Sequence, residues 1–372
     1  MKKIVFVANT TWYISNFKTT LLQYLEEKGY EIYVIAPYDH YIGYINHLKN
    51  AHHIPLHNLS RKGINPIQEI RLFWEFYQIY KRIDANIILH FTIKPNFYGT
   101  TAAYLAGKKS IMVIPGLGYL FLKKGIRRWL SARTYRLISP LTEKVVFENS
   151  SDYEEFIEEG IILPEKGLSL RGVGVDTQHF FPLAKKRQDN KVIFTFLGRL
   201  IYEKGLREFY QAAQALRSKY PNIECWIVGD IDKGNPSGMK DDELLQWVDS
   251  KAIIHIGHSS DVREIIRESD CVVLPSYYRE GVPKVLQEGM AMEKTIITCN
   301  MPGCREAVEE GKNGYLVEPK STESLQIAME KFYLLSPTER ETLGKFGRQK
   351  AIAEFDHTIS NEIYENLISE FC

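Results

Sequence analysis

Cys271-Val272-Val273-Leu274-Pro275-Ser276-Tyr277-Tyr278-Arg279-Glu280-Gly281-Val282-Pro283-Lys284-Val285-Leu286-Gln287-Glu288-Gly289 decides how the chain is read. The four residues at its head are apolar and predict a buried strand, and Val285, Leu286, Met290 and Met292 predict a helix behind it. Pro283 suits the first helical position, since its ring fixes φ and its missing N–H would have no partner there. A strand therefore ends, a glycine-containing loop turns and a helix starts. Such a turn aims free backbone N–H groups and the positive end of a helix dipole beyond the strand, which suits a phosphate. Glu280 in the loop and Glu288 in the second helical turn sit awkwardly beside an anion, so they are expected to accept hydrogen bonds from sugar or ribose hydroxyls.

Outward from this stretch the same alternation repeats. The amino-terminal half predicts strands over 4–8, 30–36, 87–90, 110–114 and 144–147, with helices over 17–28, 66–83, 98–106 and 126–138. The second half predicts strands over 192–197, 225–228, 253–256, 271–274 and 295–298, with helices over 203–218, 243–248 and 262–266. Ser336-Pro337-Thr338-Glu339 has a capping pattern ahead of a helix to about 355, and 359–371 is a last amphipathic segment. Strands separated by helices imply the α/β class and a mostly parallel, doubly wound sheet. A chain of 372 residues exceeds one ordinary core. The expectation is two Rossmann-like domains facing across a cleft, over 1–182 and 191–355, with the polar run 185–190 as linker and 356–372 packing back towards the first domain.

Apolar content of 44% and charged content of 25% describe a globular protein. No apolar run reaches membrane-spanning length, and Met1-Lys2-Lys3 leads into a short strand rather than a signal peptide, so a cytoplasmic location is expected. Five cysteines without a C-x-x-C pair predict a reduced protein with no zinc site. Residues 1–142 hold 19 Lys and Arg against 7 Asp and Glu, which points to an anionic partner. The densest part interleaves Lys123, Lys124, Arg127 and Arg128 with Phe121, Ile126, Trp129 and Leu130, as a segment lying in a headgroup layer does; a core helix with a solvated basic face has the same pattern. No nucleic-acid reading motif is present, so nucleic acid is not expected.

Gly198-Arg199-Leu200-Ile201-Tyr202-Glu203-Lys204-Gly205 follows the first strand of the second half. Gly198 lets the backbone approach a ligand, Arg199 can bridge two phosphate oxygens and Lys204 adds a point charge. Alone these are ordinary exposed basic residues; beside the 275–288 loop they make a joint site. Asp230 and Asp232 have a spacing that can hold a divalent cation, but the turn after them favours a structural loop. His258 and Asp261 end another strand, where the backbone can meet a nucleobase edge or merely cap a helix. In the first half the strand ends carry Asn9, Thr10 and Thr11, then His90, Lys94 and Asn96, then Gly116, Gly118 and Tyr119. These suit hydroxyls or phosphates, and equally suit turns. Gly172 and Gly174 precede no capped helix and are not a dinucleotide fingerprint.

Taken together, Gly198-Arg199-Leu200 with Glu203-Lys204-Gly205, Pro275-Ser276 with Glu280-Gly281, Glu288, and Pro302-Gly303 with Gly314-Tyr315-Leu316-Val317 resemble the retaining GT-B glycosyltransferases of family 4. The resemblance covers nearly the whole chain and leans towards bacterial enzymes that extend polyprenyl-diphosphate-linked glycans. It implies a nucleotide-sugar donor, UDP-linked, with no metal required, and a lipid-linked saccharide acceptor at an anionic membrane's inner face. Arg199 and Lys204 would bind the diphosphate and stabilise the leaving nucleotide. Glu280 would hold donor-sugar hydroxyls beside the backbone of Gly281, Val282 and Pro283, and Glu288 the ribose. The first-half strand ends would take the acceptor. Two departures stand out: Asn9-Thr10-Thr11 replaces a glycine pair, and Pro115 stands where relatives have a histidine. A non-catalytic nucleotide-sugar-binding subunit and a nucleotide-sugar epimerase are the alternatives.

Overall fold

The computed structural model describes residues 2–60, 65–121 and 125–372. It divides into two compact units: unit 1 is Met1–Val173 with His357–Cys372, and unit 2 is Gly174–Asp356.

Unit 1 is built on the parallel strands β1 (Lys3–Val7), β2 (Glu31–Ala36), β3 (Ala51–Pro55), β4 (Ile87–Phe91), β5 (Ser110–Ile114), β6 (Lys144–Phe147) and β7 (Gly167–Ser169), in the order β3-β2-β1-β4-β5-β6-β7. Side chains of a strand alternate between faces. Ile4 and Phe6 accordingly join Leu21, Leu22 and Leu25 in one core, whereas Val5 and Val7 join Leu72, Phe76 and Tyr80 in another. Burial on both faces explains why β1 reads as an unbroken apolar run. The last helix, His357–Ser369, belongs to this unit: Tyr364, Leu367 and Ile368 enter the core of Leu21 and Leu22, and Tyr24 Oη donates to Glu365 Oε2 at 2.6 Å.

Unit 2 holds the parallel strands β8 (Val192–Leu197), β9 (Ile223–Val228), β10 (Ile254–Gly257), β11 (Cys271–Leu274), β12 (Thr295–Cys299) and β13 (Gly314–Val317), in the order β10-β9-β8-β11-β12-β13. In each sheet the first strand in sequence lies beside a strand reached only after its other neighbour has been formed: β1 beside β4, and β8 beside β11. Loops leaving such a reversal diverge, which opens a crevice at the carboxyl ends of the strands.

Several elements differ from expectation. The helix expected over 17–28 is two, Thr11–Phe17 and Thr19–Glu27, broken at Lys18, whose side chain turns inward to Glu148. The helix expected over 98–106 starts as a π-turn, Pro95–Gly99, before Thr100–Leu105. Pro283 is the cap rather than the first helical residue: its ψ of 127° is extended, and the helix runs Lys284–Ala291. The run 185–190 is not free, because Lys185 and Arg187 both pair with Asp270 and Arg187 Nε donates to Glu268 O at 3.1 Å. The reciprocal Ser336–Glu339 capping box does form, at the head of Pro337–Phe355.

Candidate functional site

The β8/β11 reversal carries the opening stretch. Two glycines bring its loops together. Gly205 has φ +80°, and a Cβ there would stand 2.2 Å from the Pro275 carbonyl oxygen; Gly303 has φ +78°, and its Cβ would stand 2.2 Å from the Gly281 oxygen. Only residues without a side chain allow the loop after β8 and the turn after β12 to press on the loop after β11. Backbone bonds then stitch the contact, with Tyr277 N and Tyr278 N donating to Glu203 O at 2.9 and 3.2 Å.

This stitching brings Lys204 and Glu280 together. Lys204 is 8% exposed, and its Nζ lies 2.5 Å from Glu280 Oε2. Ser276 Oγ donates to Glu280 Oε1 at 2.6 Å, so both carboxylate oxygens are held. Arg199, more open, donates from Nη1 to Asp232 Oδ2 at 3.0 Å. Asp232, considered above as half of a cation site, thus serves as the arginine's counter-charge. Gly281, Val282 and Pro283 lead into the helix Lys284–Ala291, and Val282 is buried, its carbonyl accepting from Gln287 Nε2 at 2.9 Å. Glu288 on that helix is buried, which raises its carboxyl pKa against the pull of Lys284, 3.8 Å away. Ser276, Asp232 and the Glu203 carbonyl are parts of this site that sequence reasoning left without a role. Ser276 lies inside the quoted stretch, and the other two carry no separable signal. Gly198 directly follows β8, and its carbonyl oxygen lies 2.0 Å from where a Cβ on Gly229 would stand.

His258 and Asp261 follow β10, the edge strand two places from β8. His258 is exposed. Asp261 accepts from Arg263 N at 3.0 Å and from Arg263 Nε at 2.9 Å, which hold its carboxyl down to about 2. Its visible work is local capping and pairing.

The unit 1 residues are placed less openly. Thr10 Oγ1 caps a helix by accepting from Tyr13 N at 3.1 Å, and Thr11 is buried on Asp39, which accepts its N–H at 3.0 Å. Asn9 is half-buried beside them. His90 is fully buried between Tyr80 Oη at 3.0 Å and Thr100 Oγ1 at 3.2 Å, and burial pushes its pKa down to about 3. Asn96 is 1% exposed and donates to Val113 O at 2.9 Å. Thr10, Thr11 and His90 thus each have hydrogen-bond partners within the scaffold. Lys94 is half-buried and pairs with Glu69. Thr92, between His90 and Lys94, has φ +72°, a conformation a β-branched residue adopts at about 1–3 kcal/mol. Gly116 is half-buried and Gly118 buried, flanking Leu117, whose N–H donates to Asp152 Oδ2 at 3.1 Å; the side chain of Tyr119 is outside the described residues.

Lys123 and Lys124 also lie outside the described residues. The helix Ile126–Ile138 that follows them buries Ser131, Tyr135 and Ile138. Arg128, expected on the membrane face, pairs with Glu155 at 2.8 Å and with Glu159. The exposed face carries Ile126, Trp129, Leu130 and Leu137 with Arg127 and Arg133, Arg133 lying over the Trp129 ring at 5.6 Å. Among the described residues no helix is long and apolar enough to cross a membrane, and no group of three or more His, Cys, Asp or Glu is arranged to hold a metal ion.

Residues 178–350 match the family model described as Glycosyl transferases group 1, and residues 3–149 match Glycosyl transferase 4-like. The chain is 27% identical to the N,N'-diacetylbacillosaminyl-diphospho-undecaprenol alpha-1,3-N-acetylgalactosaminyltransferase of Campylobacter jejuni, over 98% of each chain. It is 25% identical to the UDP-Gal:alpha-D-GlcNAc-diphosphoundecaprenol alpha-1,3-galactosyltransferase of Escherichia coli, over 71% of this chain and 70% of the relative. Among solved structures, a glycosyltransferase from Rickettsia africae superposes with a TM-score of 0.82 at 18% identity, covering 100% of this chain and 98% of the other. Anabaena HepE, solved with UDP and glucose, superposes with a TM-score of 0.78 at 18% identity, covering 99% and 100%. These likenesses identify the two parallel-sheet units as the GT-B fold.

Proposed function

We propose that this chain, which the group 1 glycosyltransferase model matches over residues 178–350 and the glycosyl transferase 4-like model over 3–149, moves a sugar from a UDP-linked donor to a polyprenyl-diphosphate-linked saccharide. The sugar is a hexose or N-acetylhexosamine, and its anomeric configuration is retained. The carrying observation is the convergence of Arg199, Lys204 and Glu280 at the β8/β11 reversal, two cations and a carboxylate drawn from adjacent strand ends.

The chemistry needs this set. As the glycosidic bond breaks, negative charge gathers on the departing diphosphate, and fixed cations with a helix amino terminus stabilise it without reorganising. Arg199 and Lys204 supply that charge, and the backbone of Gly281, Val282 and Pro283 approaches the sugar and phosphate. Glu280, already oriented by Ser276, accepts from sugar hydroxyls, and buried Glu288 accepts from the ribose. The acceptor hydroxyl attacks from the face the nucleotide leaves, and the leaving phosphate takes its proton. His258 and Asp261 flank the base end of the donor.

Unit 1 takes the acceptor. Its exposed helix face of Ile126, Trp129, Leu130 and Leu137, with Arg127 and Arg133 beside it, rests on an anionic lipid surface at the cytoplasmic side of the membrane. Two relatives whose names carry undecaprenyl-diphosphate-linked sugars support this reading. The test is UDP release from a panel of UDP-sugars, with and without a polyprenyl-diphosphate saccharide, and the anomeric configuration of the product read by NMR. Acceptor-stimulated release with one donor is expected. Release that no acceptor stimulates would sink the reading.

A further inference from the structure

We propose that Glu69, fixed by Lys94, is a hydroxyl-binding residue for the acceptor saccharide at the β1/β4 reversal of unit 1, an inference that rests on the transfer function above. Glu69 lies in the first turn of the helix Pro66–Arg82, and Lys94 lies three residues beyond β4. The glutamate is 6% exposed, and its Oε1 is 2.5 Å from Lys94 Nζ. Its other oxygen, Oε2, is buried without a hydrogen-bond partner among the described residues.

The scaffold accounts for only part of this. A carboxylate in a first helical turn is favoured by the helix dipole, and the lysine satisfies Oε1. Neither uses Oε2, and a buried polar atom left unpaired is a standing penalty that native folds avoid. The same strand end concentrates two more such atoms, Thr92 Oγ1 and Asn96 Oδ1, around the strained Thr92 and the π-turn Pro95–Gly99. Tyr98 on that turn lies close to the carboxylate: burial, then the Glu69 charge and a side-chain hydrogen bond with Glu69, raise its phenol pKa, although the approach is too loose to satisfy Oε2 by distance and angle.

The chemistry of the open atoms selects the ligand. Oε2 of an ion-paired carboxylate and an amide oxygen only accept, so the group that completes them must donate. A sugar hydroxyl does; a phosphate, which carries acceptor oxygens, does not. The reversal of a parallel sheet is also where its ligands sit. The acceptor's sugar, rather than its diphosphate, is thereby assigned to this position.

The experiment compares wild type with Glu69→Gln, which keeps the shape and removes the charge, using the donor and the polyprenyl-diphosphate saccharide that support wild-type transfer. The acceptor KM should rise roughly 10- to 100-fold, the worth of one hydrogen bond to a charged group, while UDP affinity and Tm stay near wild type. An unchanged acceptor KM in a folded variant overturns the proposal. If Glu69→Gln fails to fold, Thr92→Val, which preserves the β-branched shape, carries the test: it should raise the acceptor KM by roughly 5- to 10-fold, and no rise overturns the proposal. A wild type that transfers to no lipid-linked saccharide defeats the functional reading itself, whereas an active wild type with an indifferent variant defeats only this subsite.

Discussion

Lys18–Glu148 in unit 1 and Lys204–Glu280 in unit 2 are both lysine–glutamate pairs, and their surroundings suit them to opposite work. In unit 1, Lys18 Nζ meets Glu148 Oε1 at 2.8 Å with side chains 2% and 5% exposed, and the ammonium is enclosed by the rings of Phe91 at 4.9 Å and Tyr364 at 5.0 Å. In unit 2, the side chains of Lys204 and Glu280 are 11% and 17% exposed, sit on loops at the β8/β11 reversal and are joined by the Ser276 hydroxyl. The sealed pair can exchange its partners with nothing, so it fastens the last helix to the sheet. The open pair can trade a charge partner for a ligand. Access, more than charge, separates a clamp from a binding site.

The contrast is broken most directly at the clamp. Lys18→Met strands a buried carboxylate and should cost about 3–5 kcal/mol in chemical denaturation, with UDP affinity of the remaining folded protein unchanged. A loss under 1 kcal/mol would mean the pair is not a clamp. The reverse is expected of Lys204→Met: transfer falls by about 10²–10³ in kcat with a small change in stability. Glu280→Gln should keep most UDP binding and lose transfer, and near wild-type transfer would remove the role given to that carboxylate.

The strand-end glycines sharpen the same point, because they position the open pair without touching a ligand. Gly205→Ala must move the Pro275 carbonyl and should cost about 1–3 kcal/mol in stability, with transfer reduced as Lys204 shifts from Glu280. Next in size is the helix face of unit 1. Replacing Trp129 and Leu130 by serine should weaken binding to anionic vesicles roughly tenfold in co-sedimentation, while transfer to a soluble short-chain acceptor stays unchanged. The smallest effect belongs to the exposed Asp261–Arg263 pair. Its depressed pKa means that its stabilisation is present above the ordinary value of 3.8 and is lost as pH falls through about 2. Asp261→Asn should flatten the acid limb of stability there by less than about 1 kcal/mol, screened as the pair is by solvent.

Strands buried on both faces were legible as apolar runs, and β5, β6, β8 and β11 begin and end where the pattern puts them. Three of the four sheet edges were not. β3 reads Ala-His-His-Ile-Pro and β7 has three half-buried residues, because an edge strand can keep polar side chains in water, whereas β13 is mostly buried but only four residues long and opens on a glycine. At the site, Arg199, Lys204 and Glu280 stand in loops after apolar strands, where cations and acids have no structural reason to cluster. Ser276 and Glu69 were given no role, and Asp232 was weighed only as half of a cation site, because their partners lie 4, 25 and 33 positions away and are brought near only by the fold. The threonines and His90 show the opposite ambiguity: polar residues at strand ends also cap helices and fill cores.

Unit 1 joins Met1–Val173 to His357–Cys372, with the whole of unit 2 between them in sequence. On a ribosome its sheet emerges first, yet Leu21 and Leu22 lack Tyr364, Leu367 and Ile368 until unit 2 has been made and can already fold. The unit proposed to take the acceptor is therefore the one whose core closes later, and its apolar flank stays uncovered until His357–Ser369 has been made.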